Sequence, residues 1–182
     1  VWKRRIVKKN LESINFMKNN MNWNFDNSYS RLSDAFKEHI KPIAVKNPEL
    51  VLMNKDLVEE LNLDFSKIDK NELAALFTGN ILPEGSNAIA QAYAGHQFGH
   101  FTMLGDGRAV LIGEHLTKNN ERYDIQFKGS GKTAFSRNGD GRAALGPMLR
   151  EYIISEAMHH LNIPSTRSLA VAKTGEEIMR ET

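Results

Sequence analysis

The sequence predicts an α+β fold, on three observations. Apolar residues recur at three-to-four spacing in several segments, the period of an amphipathic helix. Arg108 to Glu114 (RAVLIGE) and Tyr123 to Phe127 (YDIQF) read as a strand pair. The elements come as helices first, then strands around a glycine loop and one long helix, which differs from a repeated βαβ array.

From Trp23 to Ile43, Phe25, Tyr29, Leu32, Phe36 and Ile40 fall at helical spacing behind Asp26 to Ser28, so a short helix ending at Pro42 is expected. Glu49 to Leu61 and Lys70 to Phe77 predict two more, with Leu50, Leu52, Leu57, Val58 and Leu61 on one face of the first. Leu73, Leu76 and Phe77 line the second, and Gly79 stops it. From Ala88 to Gly107 the texture turns to small residues and glycines, which reads as tightly packed irregular backbone or a short helix. The two strands follow, joined by the polar LTKNNER segment, and form an antiparallel pair. Ala143 to Leu161 is the longest predicted helix, with Leu145, Leu149, Ile153, Ala157, Met158 and Leu161 on one side. Asn162 and Pro164 end it, and Ser168 to Ala172 resembles another strand.

Composition excludes several classes. The 182 residues are 41% hydrophobic and 25% charged, with 13 Gly and 5 Pro, which is ordinary globular usage and not that of a disordered or collagenous chain. No apolar run approaches the ~18 residues of a membrane span, and none reads as a signal-peptide core, so a soluble, intracellular chain is expected. The absence of cysteine excludes disulfides, thiolate catalysis and Cys-ligated metals, leaving His and carboxylates as metal ligands. The net charge of +2 is uneven. Lys3, Arg4, Arg5, Lys8, Lys9 and Lys18 stand against Glu12 in the first twenty residues, a balance of +5, leaving 18 basic against 21 acidic residues in the rest. The leader before Met21 is expected to be a disordered extension; a nucleic-acid arm, a membrane-surface helix and a transit peptide are its alternatives.

The sharpest local signal is a strand, Lys128, the loop GSGKTAFSRNGDG and a helix. Gly129, Gly131, Gly139 and Gly141 allow close approach to a ligand, and successive N–H groups in such a loop form an anion-binding concavity. Lys128, Lys132, Arg137 and Arg142 add positive charge suited to a polyphosphate. A connecting loop with a solvated basic face is the plainer alternative. GSGKT is not a Walker A loop, because the pattern needs glycine where Gln126 stands. Lys128 closes a strand and Glu151 follows 23 residues later on the next helix, the arrangement by which kinase-like lobes align a lysine with nucleotide phosphates. From spacing alone, Lys132 with Glu156 and Arg150 with Glu151 stand as rival surface pairs.

Two near-repeats, Leu104 to Arg108 and Asn138 to Arg142, each carry GDGR. They read either as two Asp-Gly turns or as two turns facing one another around a ligand. His96 and His100 have the i, i+4 spacing of a helical metal pair, but Gln97 replaces the general-base Glu of a metalloprotease and Gly99 weakens the helix. His159 and His160 suit the C-terminal end of a helix dipole.

The strings AYAGHQFG, LGDGRAVLIGE, FDNSYSRL and QFKGSGKTAFSRNGDGRAALGPMLREYIISEAMHHLNIPSTRSLAV together resemble the selenoprotein O family of protein adenylyltransferases, from about Asn22 to the last residue. The resemblance implies a protein-kinase-like N-lobe, preceded by a helical segment, in which ATP sits inverted so that its α-phosphate faces a protein hydroxyl. It makes Gly105, Gly107, Arg108, Asp140 and Gly141 nucleotide contacts, Lys128 a phosphate ligand and Glu151 its orienting partner. It implies ATP with Mg²⁺ or Mn²⁺, protein substrates bearing Ser, Thr or Tyr hydroxyls, and no nucleic-acid or membrane partner. The family's metal-binding Asn and Asp, its catalytic Asp and two further arginines fall beyond Thr182. The expectation is therefore a fragment without its C-lobe, holding no catalytic or metal-ligating residue and inactive alone. Its parts would be a basic extension (1–21), a helical segment (22–104) and a truncated nucleotide-binding lobe (105–182). A non-catalytic nucleotide-binding remnant and a γ-phosphoryl-transferring kinase are the alternatives. A cytoplasmic location is expected in a bacterium and a mitochondrial one in a eukaryote.

Overall fold

The computed structural model describes residues 21–178, so the basic leader lies outside the described residues. In chain order these form β1 (Lys37–His39), β2 (Glu49–Met53), α1 (Lys55–Glu60), α2 (Lys70–Phe77), β3 (Ile89–Gln97), β4 (His100–Gly105), β5 (Ala109–Leu116), β6 (Arg122–Lys128), α3 (Leu145–His160) and β7 (Ala170–Lys173). The main sheet runs β1-β3-β5-β6, with β4 paired to the outer half of β3. β2 and β7 form a separate ribbon, and every pairing is antiparallel. The α+β class holds, with more strand than the helical periodicity predicts.

The predicted helix over Trp23 to Ile43 is replaced by extended chain, two short 3₁₀ turns and β1. Its amides are engaged elsewhere: Asp26 N–H donates to Glu114 O (2.9 Å), while Leu116 N–H donates to Asn24 O (2.8 Å). The buried Glu114 carboxylate draws the segment in, accepting from Ser28 Oγ (2.5 Å), Tyr29 N–H (2.6 Å) and Arg122 Nη1 (3.3 Å). His115, 1% exposed, completes the anchor. Its Nδ1 accepts from Asn24 N–H (3.1 Å) and its Nε2 donates to Leu61 O (2.8 Å), which fixes a neutral ring against Trp23 and Phe25.

The helix predicted over Glu49 to Leu61 divides at Asn54. Residues 49–53 pair with β7, and Asn54 caps α1 by accepting from Leu57 N–H (3.1 Å). α2 forms as predicted, opened by a capping box between Asp69 and Glu72; Gly79, at φ 81°, follows its end. The glycine-rich stretch from Ala88 to Gly107 is a hairpin of β3 and β4, turning through Phe98 and Gly99 at positive φ. The predicted pair of β5 and β6 is present, with Leu111 opposite Gln126 and Gly113 opposite Ile125, so Ile112 is an extra, bulged residue.

The core lies between α1, α2 and one face of β5 and β6. Leu57, Leu61, Leu73 and Leu76 meet Val110, Ile112 and Ile125, each under 9% exposed. Each such side chain contributes about 1.5–3 kcal/mol on burial. Since side chains alternate along a strand, Phe127 turns to this core while Gln126 and Lys128 turn to the opposite face. α3 carries the predicted periodicity, and its apolar side is only partly covered: Ile153 and Leu161 are 63% and 68% exposed, Ile154 is 60% exposed, and Ser155 is the buried residue of the helix. Among the described residues no helix is long and apolar enough to cross a membrane.

Candidate functional site

Lys128 ends β6 on the face away from the core, and α3 brings Glu151 to it. Lys128 Nζ lies 2.6 Å from Glu151 Oε1 and 2.8 Å from Oε2. The side chains remain 38% and 49% exposed, so a ligand can reach both. The rival pairings dictated by spacing do not form. Glu156 is taken by Arg167, which holds its carboxyl below the usual range, and Glu151 is taken by Lys128.

Gly105, Gly107 and Arg108 lie at the end of β4 and in the turn that leads into β5. The carboxylate of Asp106 accepts from Gln91 N–H (3.1 Å) and from Gln126 Nε2 (3.3 Å), which ties the turn to β3 and β6. Burial pushes this carboxyl above its ordinary value, against those hydrogen bonds. Gln126, whose identity excludes a Walker A loop, thus shares a face with Lys128 and supports the turn. Alternation along β6 is the sequence signal that would have found this role.

The second repeat, with Asp140 and Gly141, does not confront the first across open space. Residues 131–136 run between them: Thr133 Oγ1 donates to Asp106 O (2.6 Å), Ser136 Oγ to Gly107 O (2.5 Å) and Gly131 N–H to Gly141 O (3.1 Å). Side chains at Gly105 or Gly107 would run into Phe135, and one at Gly141, which sits at φ 69°, would run into the Gly131 backbone. These glycines therefore serve close packing of the loop on the turn. The expected concavity of open N–H groups is also corrected, because Gly129 N–H donates to Arg108 O (2.6 Å), Gly131 N–H is bonded as above and Gly139 N–H donates to Ser136 O (2.8 Å). These three donors are satisfied within the protein. Arg142 is bonded to Glu176 (2.9 Å) and to Ile43 O (3.4 Å). Arg108, Lys132 and Arg137 are exposed and make no ion pair among the described residues. With Lys128 they leave a solvent-facing cationic set around the turn and the loop.

His96 and His100 sit on facing strands of the hairpin, Gln97 opposite His100 and His96 opposite Phe101, and so do not form a helical metal pair. Among the described residues no group of three or more His, Asp or Glu can hold a metal ion.

Residues 19–182 match the family described as Protein adenylyltransferase SelO. The chain belongs to the SelO family. Its relatives include proteins named Protein nucleotidyltransferase YdiU. The one from Pelagibacter ubique is 75% identical over 159 residues, which is 87% of this chain and 33% of that protein. Those from Nitrosococcus oceani and Anoxybacillus flavithermus are 64% and 63% identical, covering 88% and 90% of this chain and 32% and 34% of theirs. This SelO-family chain therefore spans about a third of the length of the curated relatives it matches. The SelO match includes Gly105, Gly107, Arg108, Lys128, Asp140, Gly141 and Glu151.

Proposed function

We propose that this chain carries the phosphate-positioning part of a protein nucleotidyltransferase that moves AMP from ATP onto Ser, Thr or Tyr hydroxyls of proteins. The Lys128–Glu151 contact carries the reading: a carboxylate holds an accessible ammonium at the mouth of a glycine turn, beside three cations with no ion pair among the described residues. The order of Gly105–Gly107 turn, β5, β6 with Lys128, α3 with Glu151 and then β7 supports a kinase-like N-lobe. In the reaction a hydroxyl oxygen bonds to the α-phosphorus, the bond from that phosphorus to the bridging oxygen breaks, pyrophosphate leaves with the electron pair, and the hydroxyl proton passes to a base. Such transfer depends on positioning and charge neutralisation more than on covalent help. Within this region Lys128, Arg108, Lys132 and Arg137 supply positive charge for that neutralisation.

The test is incubation with α-labelled and, separately, γ-labelled ATP, Mg²⁺ or Mn²⁺ and a protein acceptor, for this chain, its Lys128→Ala variant and a chain extended to the length of its relatives. Transfer of α-label that Lys128→Ala abolishes supports the reading. Transfer of γ-label alone replaces it with a kinase, and transfer undiminished in Lys128→Ala overturns the assigned role.

A further inference from the structure

Arg167 lies between α3 and β7, well away from the glycine turn in sequence, and no sequence pattern singled it out. Its guanidinium grips Glu156 of α3 at two points, Nε to Oε1 at 3.0 Å and Nη2 to Oε2 at 2.8 Å. Its third arm, Nη1, reaches Glu60 Oε2 at the end of α1 (2.5 Å). The Arg167 and Glu156 side chains are only 12% and 18% exposed. A planar fork matched to a carboxylate and partly withdrawn from water holds direction as well as distance.

α3 is also held by the half-buried Met148, Leu149, Tyr152 and Met158. Ser155 Oγ meets Ser168 Oγ (3.3 Å), and the connection itself is tied down by Asn54 N–H donating to Leu169 O (2.9 Å). The opposite side of the helix, with Ile153, Ile154 and Leu161, is exposed. Glu151 precedes Glu156 by five residues in the same helix, about 7.5 Å along its axis. A rigid rod gripped in its C-terminal third by a charged fork transmits a turn or slide at Glu156 to Glu151, whose contact with Lys128 spans under 3 Å.

We propose that Arg167 is a positioning residue: by clamping Glu156 of α3 to Glu60 of α1, it sets where Glu151 stands and so holds Lys128 in place. Its functional meaning rests on reading Lys128 and Glu151 as the phosphate-positioning pair, whereas the mechanical claim concerns the two side chains themselves. A staple that merely adds stability would leave the environment of Lys128 alone in any variant that still folds.

The experiment is NMR of the whole chain after reductive ¹³C-methylation of its lysines, with the Lys128 signal assigned by its loss in Lys128→Arg. Glu151→Gln gives the position of that signal when the pair is broken, and Lys173, paired with Glu49 at 2.9 Å, serves as a remote control. Arg167→Met is expected to carry the Lys128 signal at least half of the way to its Glu151→Gln position, with Lys173 unmoved. Arg167→Lys, which keeps the charge but loses the fork, is expected to restore only part of the shift. A Lys128 signal that stays at its original position in a folded Arg167→Met protein overturns the proposal. Should Arg167→Met fail to fold, Glu156→Gln and Glu60→Gln remove one arm each and are judged by the same signal. Addition of ATP to the unsubstituted chain tests the underlying reading separately. A Lys128 signal indifferent to ATP refutes the phosphate role and leaves the clamp standing, while one indifferent to Glu151→Gln removes the basis of both.

Discussion

The ring of Phe135 fills the space that a side chain at Gly105 would need. The loop after β6 is thereby seated on the turn before β5, and the two GDGR repeats become parts of one packed unit. Gly105→Ala forces that ring aside and is expected to cost about 1–3 kcal/mol, the usual range for overpacking. Urea unfolding reads the loss, and the pairing is tested by adding Phe135→Ala: in the double variant the cost should be smaller than the sum of the two single changes.

Lys128→Ala and Glu151→Gln separate stability from ligand binding. The pair is open to solvent, so either change should shift unfolding by less than about 1 kcal/mol. If the phosphate reading holds, both should remove most of the thermal shift produced by ATP, with Lys128→Ala the more severe. A full ATP shift in Lys128→Ala would contradict that reading.

His115 gives the fold a defined dependence on pH. Burial holds its imidazole below the ordinary value of 6.5, against the hydrogen bond to Leu61 O, which favours the charged ring. The unfolded chain accepts a second ring proton near 6.5 and the folded chain resists it. Stability is therefore full above that value and falls as pH drops from it toward the lower folded value, by up to about 1.4 kcal/mol per pH unit. Urea midpoints at pH 8, 6.5 and 5.5 should show this slope, and His115→Gln should flatten it.

Glu114 is the carboxylate around which residues 26–30 are arranged, and its side chain is 6% exposed. Glu114→Ala strands Ser28 Oγ, Tyr29 N–H and one arm of Arg122, and should destabilise by about 2–4 kcal/mol. Cleavage between residues 26 and 36 by a dilute protease should accelerate, since the segment loses its anchor on β5. Unchanged cleavage would show that the other contacts to β5 suffice.

What could be read from the sequence was local. α2, α3, β5, β6 and β7 are legible because each is a continuous run of one period, whereas spacing leaves Lys128 with Glu151 as one pairing among several and only the family resemblance singles it out. The segment around Phe25 has helical spacing too, but its amides pair with β5 some ninety residues later, and no local pattern encodes that. Asn54 divides a helical run because β2 has a partner in β7. The docking of α3 is not legible for a related reason: periodicity marks its apolar side, but Ser155 is its buried residue and Glu156 is held by Arg167. That Gly129, Gly131 and Gly139 N–H bond within the protein is not legible either, because a sequence does not show how a loop will bond to its surroundings.

The ribbon of β2 and β7 joins Glu49 to Lys173, 124 positions apart. During synthesis, at roughly 5–20 residues per second, β2 emerges many seconds before its partner. Until then the Leu50 edge, the Asn54 N–H that bonds Leu169 O and the Arg167 grip on Glu60 all wait for residues still inside the ribosome. The order of translation thus makes β7 the latch of β2, and a nascent chain arrested before residue 170 would present an unpaired strand edge to chaperones rather than a native fold.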